Sequence, residues 1–95
     1  MAGEDTKWTV RPPEELAWRE VADEVVILDL RTSKYLTLNG SAVVLWAALA
    51  EGGATSHELS ERLRARYGLS EERAAQDVRG FLAACQGQNL LQAAV

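Results

Sequence analysis

The chain has 95 residues, of which 47% are hydrophobic and 25% are charged. This balance is typical of one globular domain with a single modest core, so we expect one domain over residues 1–95. Lys and Arg number 10 against 14 Asp and Glu, and the net charge is −4. This charge argues against a nucleic-acid binder, because such proteins usually carry a basic patch.

The chain contains one cysteine and one histidine. It therefore cannot form an internal disulfide or a metal site from Cys and His ligands alone, and we expect no cofactor. No apolar run approaches the roughly 20 residues that cross a bilayer, and the N-terminus has no apolar signal segment. These features predict a cytoplasmic protein that does not associate with a membrane.

The first part of the chain predicts a small antiparallel sheet. Residues 1–7 are small, polar and charged and are predicted to be disordered, and Pro12 and Pro13 favour an extended segment after them. Three segments rich in apolar and β-branched residues predict strands: Leu16–Val21, 25–30 and Lys34–Leu38. Because their connections are short, we expect them to form a meander in chain order.

Alternation along the second and third strands predicts which side of each faces the core. In strand 25–30 the wholly apolar side consists of Val26, Leu28 and Leu30, and we expect that side to be buried. In the third strand Leu36 and Leu38 share one side, which is expected to join the core.

Three helices are predicted after the sheet, each with start and stop signals. The expected N-terminal caps are Ser41, the capping-box pair Thr55 and Glu58, and Ser70, and the expected stops are Gly52, Gly68 and Gly87. The buried stripes at helical spacing are Ala42, Leu45, Trp46 and Leu49, then Leu59, Leu63 and Tyr67, then Ala74, Val78, Phe81, Leu82 and Cys85.

The residues able to carry catalysis have no matching partners in the sequence. His57 lies in the first turn of the second helix with no nucleophile and acid converging on it, so we expect a solvated surface residue. Cys85 continues an apolar stripe and is expected to be a packed thiol. Trp18 and Trp46 are expected to pack, whereas the role of Trp8 stays open. We therefore predict no enzymatic activity.

The third strand is the most informative element for function. In a meander, Lys34–Leu38 has one edge without a partner, and its main-chain groups can pair with an added peptide strand. The alternative is an ordinary edge strand that Lys34 protects against aggregation.

The third helix carries a second stripe beside its apolar one, formed by Arg73, Asp77, Gly80 and Ala84. Glycine in the middle of a helix costs about 1 kcal/mol relative to alanine. One explanation for Gly80 is close packing or tolerated drift. The other is that Gly80 leaves room for a partner, with Arg73 and Asp77 as polar clamps. Residue spacing alone does not favour either explanation.

Two other classes of function fit the order of elements. The second and third helices suggest a helix-turn-helix, but Arg73 and Arg79 are offset by Glu71, Glu72 and Asp77, which disfavours a small transcription regulator. A structural homodimer that pairs the third strand with its own copy is the other alternative.

Several segments together resemble the PqqD-like chaperones, also called RiPP recognition elements. The segments are KYLTLNGSAVVLW, EGGATSHELSERLRARYG, AAQDVRGFLAAC and NLL, and the resemblance spans about residues 16–91. Its most specific parts are the junction of Leu38, Asn39, Ala42 and Trp46 and the helix motif of Asp77, Val78, Phe81 and Leu82.

The resemblance implies an α+β, winged helix-turn-helix-like fold with a three-stranded antiparallel sheet followed by three helices. It implies that the leader of a ribosomally made precursor peptide adds as a strand to the third strand, in a groove against the third helix. The implied peptide-binding residues are Lys34, Tyr35, Leu36, Thr37 and Leu38 on the strand, and Arg73, Ala74, Asp77, Val78, Gly80, Phe81 and Ala84 on the helix.

The free-standing size and Trp46 look most like the stand-alone leader-binding proteins of lasso-peptide clusters. That likeness implies a monomeric, non-catalytic adaptor whose partners are a leader peptide, a leader protease and a cyclase. A chaperone of the pyrroloquinoline quinone precursor is the alternative within the same family.

Overall fold

The computed structural model describes residues 6–94, which form three helices and two small antiparallel sheets. The elements in chain order are β1 (Trp8–Val10), β2 (Leu16–Val21), β3 (Glu24–Asp29), β4 (Lys34–Leu38), α1 (Ser41–Ala50), α2 (Ser56–Tyr67), α3 (Glu71–Gly87) and β5 (Leu91–Ala93). The predicted α+β class and the order of three strands before three helices are confirmed. None of the described helices combines the length and apolarity needed to cross a membrane.

The main sheet is the predicted meander, with the strand order β2-β3-β4 and antiparallel pairing throughout. Its two connections are tight because Ala22 (φ 56°) and Ser33 (φ 63°) adopt left-handed backbone conformations. Leu16–Val21 and Lys34–Leu38 match the predicted strands, whereas the middle strand begins and ends one residue earlier than predicted.

The predicted buried face of the middle strand is wrong. Val25 and Ile27 are each 1% exposed, whereas Leu30 is 46% exposed and Val26 and Leu28 are only partly buried. Both faces of β3 are largely apolar, so alternation alone could not decide between them. The helices cover the side with Val25 and Ile27, on which Asp29 ends the strand.

The helix boundaries follow from their caps. At α2 the predicted capping box forms, with the Glu58 N–H donating to Thr55 Oγ1 at 3.1 Å and the Thr55 N–H donating to Glu58 Oε1 at 2.9 Å. Gly68 (φ 67°) ends α2, and the Ser70 side chain caps α3. The prediction for α1 is corrected: its N-cap is Gly40 (φ 60°), and no side chain caps it.

The core lies between the inner face of the sheet and the three helices. Its largest side chain, Trp46, is fully buried and meets the half-exposed Trp18 edge to face, with ring centroids 6.0 Å apart. Most of the predicted helical stripes are buried, but Tyr67 is an exception. Its side chain is 46% exposed because it occupies the last turn of α2, at the margin of the core.

A second, two-stranded sheet joins the two ends of the described chain and was not predicted. β1 pairs with β5, and Trp8 also exchanges two main-chain hydrogen bonds of 2.8 Å with Ala54. Gly53 has a φ of +93°, a backbone conformation that favours glycine. A Cβ at this position would lie 2.8 Å from the Trp8 carbonyl oxygen, so β1 approaches the chain where a side chain does not fit. Trp8 thus packs partly buried against the core.

The predicted disorder of residues 1–7 lies mostly outside the described residues. Lys7 is described, and its carbonyl accepts a 2.7 Å hydrogen bond from the Ala94 N–H.

Candidate peptide-binding groove

The outer edge of β4 is the free edge of the main sheet. β4 pairs with β3 on one side, and within residues 6–94 no strand pairs with its other side. An edge of this kind presents main-chain donors and acceptors to solvent, which is the requirement for strand addition.

The hydrogen-bond pattern identifies which main-chain groups of β4 point outward. The Leu30 N–H donates to the Glu15 carbonyl at 2.8 Å, so Leu30 and every second residue before it direct their main-chain groups toward β2. Asp29, Ile27 and Val25 therefore face β4, and their partners are Lys34, Leu36 and Leu38.

Tyr35 and Thr37 consequently present their N–H and C=O groups to the free edge. Together they offer two donors and two acceptors to an added strand. Their side chains lie on the outer face of the sheet, where Tyr35 is 72% exposed. Leu36 and Leu38, on the inner face, are partly buried against the core.

The N-terminal end of β4 opens into a cavity of about 610 Å³ shared with the end of α3. The cavity combines an apolar floor with a polar rim. Its lining residues are Ile27, Asp29, Arg31, Thr32, Lys34, Tyr35 and Leu36 from the sheet and its turn, and Gln88, Asn89 and Leu90 from the segment after α3.

Arg31 fixes this end of the groove by joining three separate segments. Its Nε and Nη2 atoms bond both carboxylate oxygens of Asp29, each at 3.0 Å. The same Nη2 donates to the Asn89 carbonyl at 2.7 Å, and Nη1 donates to Glu15 Oε1 at 3.2 Å. The side-chain hydrogen bond from Arg31 also lowers the pKa of Asp29 below its usual value. Four of the five guanidinium N–H groups are thereby engaged.

Comparison with known proteins shows the family. The sequence matches the family described as Coenzyme PQQ synthesis protein D (PqqD) over residues 24–91. The chain belongs to the PqqD family. The predicted resemblance to PqqD-like RiPP recognition elements is therefore confirmed, whereas no curated protein sequence matches the chain.

Two solved structures share the fold of this PqqD-family chain. The first is TbiB1 in complex with the TbiA(beta) leader peptide, at 26% identity and a TM-score of 0.80, covering 92% of this chain and 98% of that one. The second is lasso peptide synthetase B1 complexed with the leader peptide, at 20% identity and a TM-score of 0.76, covering 90% and 96% of the two chains.

The five predicted residues on β4 of the PqqD-family domain lie along the free edge, and Lys34, Tyr35 and Leu36 line the cavity. The predicted residues on α3 are placed differently. Ala74 and Val78 are at most 1% exposed, so in the free protein they belong to the core. Phe81, Leu36 and Leu38 are partly buried and all pack against the core.

The predicted polar stripe of α3 is contiguous and lies on the outer side of the helix. At about 100° per residue its four members span about 60°, from Gly80, roughly opposite the buried Val78, to Asp77, which lies next to Phe81. A Cβ at Gly80 would meet nothing within 4 Å, so close packing within the chain does not explain this glycine. Arg73 and Asp77 form an exposed ion pair at 3.4 Å.

The other flank of α3 faces α2 and holds a second cavity of about 540 Å³. His57 lies at this cavity with Glu61, Glu71 and Arg79. Cys85 is buried in the core instead, and burial raises the pKa of its thiol to about 12. The two residues are therefore in different environments, and the thiol is protonated at neutral pH.

Sequence reasoning missed the residues that close the groove, namely Asp29, Arg31 and Gln88–Leu90. The turn residues were predicted as a connection, and Leu90 was predicted only to fold back on the core. A bidentate Asp–Arg pair two residues apart in a turn was the available local signal, but the contact with Asn89 spans 58 residues and has none.

Proposed function

We propose that this chain is a non-catalytic adaptor that captures the leader of a ribosomally made lasso precursor by β-strand addition to β4 and presents it to a leader protease. The observation that carries the proposal is the free edge of β4 beside an open groove. It is supported by the 26%-identical TbiB1, whose structure contains a leader peptide.

The main-chain groups of Tyr35 and Thr37 would supply up to four hydrogen bonds to the leader. Such bonds contribute about 0.5–1.5 kcal/mol each and place little demand on sequence. Selectivity would come from leader side chains that alternate into the groove over Leu36 and Leu38. Phe81, Asp77 and Ala84 on the flank of α3 turned away from α2 would form the far wall.

The contacts that the leader makes must also offset the conformational entropy that the leader loses when it becomes ordered on binding. Coupled ordering costs several kcal/mol, so main-chain pairing alone does not give tight binding. Apolar contacts with the partly buried Leu36, Leu38 and Phe81 would provide the remainder.

The family resemblance leaves two classes of precursor, the lasso precursor and the pyrroloquinoline quinone precursor, and we favour the lasso class. The family description names coenzyme PQQ synthesis, whereas both structural neighbours bind leader peptides and one of them is a lasso peptide synthetase. The chain also spans almost the whole length of both neighbours.

The test uses the cognate leader, defined as the N-terminal segment of a short precursor peptide encoded beside this chain's gene. We expect titration calorimetry to give a Kd of about 1 μM or tighter, equivalent to roughly −8 kcal/mol, with no binding of a scrambled leader. We also expect the chain to accelerate leader cleavage by the protease of the same cluster. Absence of such a precursor gene, or no binding by the folded chain, would contradict the proposal.

A further inference from the structure

The inner face of β4 combines two apolar residues with one cation. Lys34 shares that face with Leu36 and Leu38, because alternate residues of a strand lie on the same side. Lys34 is exposed at the open end of the groove and lines its cavity. A peptide paired with β4 would therefore pass two apolar positions and then a positive charge, at intervals of two residues.

The carboxylate nearest to Lys34 in the sheet is already engaged. Asp29 is the cross-strand partner of Lys34, and opposite charges at such positions usually pair. Here Arg31 holds both oxygens of Asp29, and in the part of the chain that the structure describes no acid forms an ion pair with Lys34. Lys34 therefore remains available to a charge from outside the chain.

The other charges at this end of the groove cancel. Arg11 and Arg31 are paired with Glu15 and Asp29, which leaves no net charge in the cluster. Arg31 has four engaged N–H groups and so is a weak candidate for binding an incoming anion. The net charge of the cavity lining is thus that of Lys34, in a protein whose overall charge is −4.

We infer that the bound leader carries an Asp or Glu that pairs with Lys34, two residues along from the side chain that packs over Leu36. This inference rests on the proposed function, because it assigns the specificity of the same edge. Arg31 acts as a positioning residue, because it holds both carboxylate oxygens of Asp29 and so keeps Asp29 away from Lys34.

The experiment is a selection from a phage library in which the five leader residues paired with β4 are randomised. On the wild-type protein we expect Asp and Glu to be enriched at one position. On Lys34→Glu we expect that enrichment to disappear or to change to Lys and Arg. Arg66→Glu is the matched control, because it makes the same change in charge at an exposed site that lines neither cavity and should leave the enrichment unchanged.

Individual peptides then give the magnitude. Changing the selected acid to its amide should weaken binding to the wild type about 2- to 5-fold, the range for an exposed ion pair, and should have no effect on Lys34→Gln. The difference should shrink in high salt.

The role of Arg31 is tested by the same acid-to-amide ratio, which is insensitive to a general loss of affinity. Arg31→Gln releases Asp29 to pair with Lys34, so the ratio should fall to about 1. Asp29→Asn should retain the preference for the acid. An unchanged ratio in Arg31→Gln would overturn the positioning role.

An error about Lys34 and an error about leader capture give different results. If peptides bind the wild type with no acidic preference, or with a preference that Lys34→Gln retains, the inference about Lys34 is wrong and leader capture stands. If no peptide binds the folded protein at all, leader capture itself is wrong.

Discussion

Replacing Thr37 with proline should weaken leader binding while leaving the free protein folded. Thr37 presents its N–H and C=O to the free edge, so it supplies two of the four main-chain bonds available to a leader. Proline removes the donor, and its ring holds the added strand away from the neighbouring acceptor. Losing two bonds of about 0.5–1.5 kcal/mol each predicts a loss of about 1–3 kcal/mol, or roughly 5- to 150-fold in Kd.

The assay is fluorescence anisotropy with the labelled cognate leader, after circular dichroism has shown that each variant is folded. Glu20→Pro is the matched control, because the Glu20 N–H points outward from the opposite edge of the same sheet and the residue is exposed. Thr37→Val keeps the N–H and should also bind normally. A folded Thr37→Pro variant that binds the leader as tightly as the wild type would refute strand addition at β4.

Three further predictions concern the fold. Ile27→Ala should lower the free energy of unfolding by about 2–5 kcal/mol in urea titration, and Leu28→Ala by clearly less, since only Ile27 is fully buried; similar losses would reverse the assigned faces of β3. Gly53→Ala should destabilise more than Gly52→Ala, because only at Gly53 does the added Cβ meet a carbonyl oxygen; equal melting temperatures would contradict this. The Cys85 thiol, with its pKa raised to about 12, should resist alkylation at pH 8 until the protein unfolds, and its stabilising effect should be lost as pH rises from 9 toward 12; rapid alkylation of folded protein would show an exposed thiol.

Local features of the sequence were sufficient to predict most of the architecture. The β2–β3–β4 meander follows from short turns between β-branched segments, and the α2 cap follows from Thr55 and Glu58, three residues apart. The edge position of β4 then follows from chain order, since a third strand followed directly by a helix has one neighbour.

Features that depend on long-range packing were not predictable. Val25 and Val26 are equally apolar, and only the position of the helices decides which is buried. β1 and β5 have three residues each and exist because the two ends of the described chain meet.

The candidate site also combines a part that local sequence predicts with a part that depends on long-range contacts. Its strand could be located from the sequence, whereas the groove end could not, because Arg31 reaches the Asn89 carbonyl across the fold. The wall on α3 stays a prediction. Helical spacing places Ala74 and Val78 on the buried stripe, as the structure confirms, whereas the family resemblance implied that they also bind peptide.

Amide hydrogen exchange of β4 tests the central claim most directly. In the free protein the Tyr35 and Thr37 amides face solvent, and saturating cognate leader should slow their exchange strongly, while the outward amides of Trp18 and Glu20 on β2 should not change. A bound leader that leaves Tyr35 and Thr37 exchanging as in the free protein would contradict strand addition to this edge.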